Sequence, residues 1–113
     1  MIVVPEVVVG ETYTKLRYDR RISGRSDART ALSVFGLIAA SPGLFEVRDI
    51  PQLSYRRSIE LLAKYVDQAF SWVDVIVLLT ADDDRQVNRL LTVDASLAVY
   101  HFSHEVAVSI PAR

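Results

Sequence analysis

One segment constrains this fold more than any other: residues 72–81, which read Trp-Val-Asp-Val-Ile-Val-Leu-Leu-Thr-Ala. Asp74 is the only charged residue between Phe70 and Ala81. Ser71 stands just before the run, where a hydroxyl can cap a helix by accepting a free amide. A helix from Trp72 to about Asp82 is apolar almost all round, so most of its surface has to be buried. The run is too short to span a bilayer. Other elements must therefore wrap it.

The rest of the chain alternates between strand-like and helix-like patterns. Residues 2–4 read as a short β-branched strand stopped by Pro5. From Glu6 the pattern turns helical, with Val8, Val9, Thr12, Tyr13 and Leu16 on one side, although valines are mediocre helix formers. After a polar turn at Ser23-Gly24, Ser26 or Asp27 caps a second helix that runs to Ala40 and stops before Pro42-Gly43. Residues 45–50 form a strand closed by Pro51. Ser54 caps a helix reaching Val66, with Ile59, Leu62, Ala63 and Val66 on its inner face. Beyond the apolar helix come a strand at 89–93, a short helix at 95–102 and a last strand at 106–110. This alternation predicts an α/β fold, a mostly parallel sheet flanked by helices on both faces. A length of 113 residues with no visible linker fits a single domain over residues 1–113.

Composition narrows the partners. The formal net charge is −1, so any basic binding surface is local. There is no cysteine; the fold must rest on its core, a ligand or a partner, which suits a cytoplasmic location. The opening residues lack a signal peptide's basic start and long apolar region, and no membrane partner is expected.

Three carboxylates stand out. An ionised Asp74 in so apolar a run has to pair with a cation, cap its own helix or bind metal. The cap is a serious alternative, because Asp74 lies three residues after Ser71. Asp94 closes the apolar strand Leu90-Leu91-Thr92-Val93, at the carboxyl end where open α/β sheets bind ligands, or it caps the next helix. Glu11, beside the apolar face of the first helix, reads alone as a surface glutamate. If the three converge at one end of a sheet, they offer the hard oxygen ligands that magnesium or manganese prefers. Such a metal polarises a phosphate and activates a water.

These same residues carry a resemblance to the PIN domains, the small α/β fold of metal-dependent ribonucleases such as the VapC-type toxins. Residues 3–11, Val-Val-Pro-Glu-Val-Val-Val-Gly-Glu, look like the family's second strand and the helix bearing an acidic site residue, which maps to Glu11. Ser71-Trp72-Val73-Asp74 is similar to the serine–aromatic–x–aspartate helix start, mapping a metal-site aspartate to Asp74. Leu91-Thr92-Val93-Asp94 resembles the strand ending in threonine–x–aspartate, mapping to Asp94. Order and intervals agree over essentially the whole chain. The family's first, central strand and its terminal aspartate have no counterpart here, and Ser96 stands where a further acid is common.

The resemblance implies an endoribonuclease that hydrolyses RNA phosphodiesters with Mg or Mn held by the catalytic acids Glu11, Asp74 and Asp94. It also implies neutralisation by a small antitoxin protein. The alternative is a degenerate, non-catalytic PIN-like module that only binds protein or RNA. Without the central strand, two inner sheet edges are left unpaired, and a homodimer filling that gap is expected.

Other signals are local. Lys15, Arg17, Arg20, Arg21, Arg25 and Arg29, against Asp19 and Asp27, give a stretch of net charge +4. Arg17, Arg20, Arg21 and Arg25 are candidate RNA-phosphate ligands; the other reading is a solvated helix end and turn. Tyr13 and Tyr18 either stack on bases or pack. His101 and His104 read as surface residues sharing a helical face, and Asp82-Asp83-Asp84 as a solvated loop.

Overall fold

The computed structural model describes residues 1–18, 28–49 and 54–110. The chain divides into two compact units, Met1–Ile50 and Pro51–Arg113.

In the first unit, β1 (Ile2–Pro5) runs straight into α1 (Glu6–Tyr18), followed by α2 (Ala28–Ala39) and β2 (Phe45–Arg48). Val3 and Val4 suit a strand, and Pro5 ends it at a place that can spare an amide donor. Glu6 lies in the first turn of α1 and Lys15 and Arg17 in its last, which complements the helix dipole at both ends. This offsets the valine run. Tyr13 packs against Phe35 of α2 with ring centroids 5.9 Å apart, so packing is its role. A turn after α2, closed by the Leu44 amide on the Ser41 carbonyl at 3.0 Å, delivers β2 parallel to β1, with Ile2 opposite Phe45 and Pro5 opposite Arg48.

The second unit holds α3 (Ser54–Lys64), a short 3-10 turn (Val66–Gln68), α4 (Trp72–Asp82), β3 (Arg89–Leu91), a second 3-10 turn (Ala95–Val99) and β4 (Ala107–Ser109). As its sequence demands, α4 is the buried centre: Val75 and Leu78 are both 0% exposed. Leu61 and Tyr65, Phe70, Leu90 of β3 and Leu97 pack around it. β3 and β4 pair in parallel, with Arg89 opposite Ala107 and Leu91 opposite Ser109. Among the described residues, no helix is long and apolar enough to cross a membrane.

Mixed helix and parallel strand is therefore present, but the described strands form two two-stranded sheets, β1–β2 and β3–β4, in place of one larger sheet. The strands are also shorter than their apolar patterns: Val93 lies beyond β3 and is 90% exposed. Residues 95–99 make a 3-10 turn where an α-helix to 102 was expected. The largest correction concerns α3. Its inner face is Ser58 and Leu61, continued by Tyr65; Ile59, Ala63 and Val66 are exposed and Leu62 is half-buried. Ser58 is fully buried on the inner face.

Candidate functional site

Asp74 is the third residue of α4 and completes a capping box. Its amide donates to Ser71 Oγ at 3.0 Å, and the Ser71 amide donates to Asp74 Oδ2 at 2.9 Å. Two amides that the first helical turn leaves without partners are thereby satisfied. Of the roles open to a carboxylate in this apolar run, the cap is the one formed. Asp74 is half-buried, and Oδ1 takes none of these bonds.

Asp94 plays the same part after β3. Oδ1 accepts from the Ser96 amide at 2.9 Å and from the Ser96 hydroxyl at 2.6 Å, while the Asp94 amide donates to Thr92 Oγ1 at 3.1 Å. It caps the turn Ala95–Val99 and is exposed. The Ser96 hydroxyl, then its amide, hold the Asp94 carboxyl below its usual range by stabilising the charge. Ser96 thus serves to orient Asp94. Glu11 is exposed on α1, in the first unit, whereas Asp74 and Asp94 belong to the second. Within neither unit, among the described residues, do three or more His, Asp or Glu side chains gather as a metal-holding group.

The two aspartates share one arrangement: an oxygen fixed by a backbone amide, and a second oxygen outside that bond. Single carboxylate oxygens are ligands that a hard divalent cation accepts, but neither aspartate belongs to a metal-holding cluster among the described residues.

The acidic run has more structure than a solvated loop. Asp82 accepts from the Ser103 amide at 2.6 Å and the Tyr100 hydroxyl at 3.0 Å. Asp83 forms a bidentate pair with Arg57, both contacts at 2.7 Å. Asp84 accepts from the Gln86 amide at 2.9 Å and shapes the turn into β3. Burial pushes Asp82 up, but the Ser103 and Tyr100 donors outweigh it and leave the carboxyl below its usual range. Tyr100 moves the other way, raised by burial and by the Asp82 carboxylate beside it. His104 is half-buried rather than superficial, its Nε2 2.7 Å from the Val87 carbonyl, and residues 101–104 are not helical. The signal for this network was present in the sequence only as an apolar helix ending in acids.

A second pair of acids went unread. Glu6 follows β1 and Asp49 follows β2, so they stand at adjoining carboxyl ends of parallel strands. A hydrogen bond shared with Asp49, reinforced by repulsion, raises Glu6 above its usual range. Of the basic candidates, Arg17 is half-buried on α1 with its guanidinium 4.9 Å from the centre of the exposed Tyr18 ring. Arg20, Arg21 and Arg25 lie outside the described residues, as do Ser26 and Asp27. No protein family, curated protein or solved structure matches this chain.

Proposed function

We propose that this chain is a PIN-like, Mg- or Mn-dependent endoribonuclease, the toxin of a toxin–antitoxin pair, acting in the cytoplasm. The observation that carries the reading is the shared geometry of Asp74 and Asp94. Each sits where a chain element begins, at the start of α4 or just past parallel strand β3, with one oxygen fixed and the other outside the cap. Two parallel strand pairs and the resemblance at Glu11 are consistent with it. Asp74 and Asp94 would hold the metal, which would supply a polarised phosphate and an activated water. Arg17, with Arg20, Arg21 and Arg25, would bind RNA phosphates, and a small antitoxin would mask the acidic site.

The capping roles favour a second reading, a non-catalytic PIN-like module, because they account for both aspartates without metal. RNA cleavage separates the two. With Mn present, the wild type should cut RNA and Asp74→Asn should not, since the amide keeps the shape and loses the charge. Arg17→Ala should weaken RNA binding and its salt dependence while leaving cleavage at saturating RNA. Ser71→Ala removes the cap but not the charge, so it should cost about 1 kcal/mol of stability and spare most activity. Equal cleavage by wild type and Asp74→Asn would overturn the catalytic reading. So would melting curves that Mn leaves unmoved under saturating conditions.

A further inference from the structure

Two large aromatic side chains stand in water at the helix starts of the second unit. Tyr55, in the first turn of α3, is 71% exposed, and Trp72, the first residue of α4, is 37% exposed. Their ring centroids lie 5.9 Å apart and their planes meet at 48°, so the rings sit side by side without covering one another. At that tilt and exposure Tyr55 keeps a ring face open. Neither ring belongs to the core, which Leu61, Tyr65, Phe70 and their neighbours fill. A hollow beside Tyr55 is also lined by Arg56, Ile59 and Glu60.

The chemistry of this surface selects a planar occupant with one negative charge. An open aromatic face takes another π-face by stacking. Arg56 is exposed, and among the described residues no carboxylate pairs with it, whereas its neighbour Arg57 is taken up by Asp83 at 2.7 Å. Arg56 therefore offers one cation, while Glu60 in the same hollow repels a run of phosphates. One stacked ring beside one phosphate is a nucleotide of a single strand, since a duplex keeps its base faces covered. Position agrees: Trp72 and Asp74 share the first turn of α4, so a strand resting on Trp72 lies within a turn of the candidate catalytic carboxylate.

We propose that Tyr55 and Trp72 form a stacking platform for one unpaired RNA base, with Arg56 meeting an adjacent phosphate. The choice of RNA rests on the nuclease reading. The platform makes the chain select single-stranded over duplex RNA, and it supplies the contact with a base that the carboxylates cannot make.

Trp72 is the only tryptophan of the chain, so its emission reports on this site alone. Fluorescence titration of the full chain with single-stranded oligoadenylate, with metal chelated so that nothing is cut, tests the platform. Expected is a saturable quench, with little quenching by an oligoadenylate–oligouridylate duplex of equal length. At unchanged helix content, Tyr55→Ala should weaken binding at least about fivefold, and Tyr55→Phe, which keeps the ring, less than about twofold. Arg56→Ala should lower the slope of log affinity against log salt by about 0.7, the share of one phosphate. Trp72 emission that high concentrations of oligoadenylate leave unchanged overturns the proposal. So does Tyr55→Ala binding as tightly as wild type, equal quenching by the duplex, or quenching by a proline-rich peptide in place of RNA, which would give the platform to a protein partner. Cleavage is scored separately with metal restored. A chain that quenches but never cuts loses the nuclease reading and keeps the platform; one that cuts with Trp72 unquenched loses the platform alone.

Discussion

Asp74, Asp82 and Asp94 show what a carboxylate does before any question of catalysis. Each accepts hydrogen bonds from a backbone amide, at 2.9, 2.6 and 2.9 Å respectively. For Asp82 this has a consequence for stability. Its carboxyl is held below the ordinary value of about 4, so the folded chain favours its charged form. The stabilisation is therefore complete above about pH 4 and is lost as the pH falls through the depressed folded value. Asp82→Asn removes the charge and should destabilise the protein by about 1–2 kcal/mol at neutral pH, at the lower end because the site is partly screened by solvent. Denaturant melts should then show the gap between wild type and variant narrowing below about pH 4. An equal gap at neutral pH and well below that value would mean that the contact with Ser103 and Tyr100 does not depend on charge.

At the scale of elements, one backbone feature invites a test. Ala69, between the turn Val66–Gln68 and buried Phe70, has φ 55°, ψ 36°, a left-handed conformation that its Cβ disfavours. Ala69→Gly relieves that contact and frees the unfolded chain, so the two effects oppose each other. The native relief, about 1 kcal/mol, should win by a few tenths and raise the melting temperature slightly. A variant clearly less stable than wild type would show the left-handed turn to be strain-free. The surrounding elements were legible to different degrees, for physical reasons. Ser71 and the apolar run fixed α4 and its cap, because local chemistry settles both. The helix from Glu6 was readable from apolar residues at helical spacing, and its end charges, which agree with the dipole, support it in the structure. The face of α3 was not, since apolar residues cover two adjoining stripes and only tertiary packing chooses between them. Leu61 and Tyr65 face the core together with Ser58, one turn before Leu61 and fully buried. The acids around the candidate site could be named from sequence, but their capping partners and the Glu6–Asp49 pair required strand register.

Across the whole molecule, burial is uneven. Among the described residues, every hydrophobic side chain of the buried core lies between Leu61 and Leu97, in the second unit. In Met1–Ile50, among the described residues, only Pro5 is buried; the valines of α1, Tyr13, Phe35 and Ile38 are half-buried, and Leu32 and Leu37 are exposed. Helix stability in a protein comes mainly from packing of an apolar face, and α1 and α2 have less of it than α4. Two β1–β2 strands of 4 residues each add a short ladder with little packed against it. The units should therefore differ in local stability, and amide exchange reads that difference directly. Amides of α4 should exchange slowest, near the rate set by global unfolding. Those of α1 and α2 should exchange much faster, through openings that leave α4 protected, and heating should give a broad first transition before the main one. Exchange of α1 and α2 at the rate of α4, across several denaturant concentrations, would show one cooperative unit whose stability is spread evenly over the chain. If instead Mn or RNA selectively slows exchange in α1, where Glu11 and Arg17 lie, the poorly packed unit is the one that ligand binding completes.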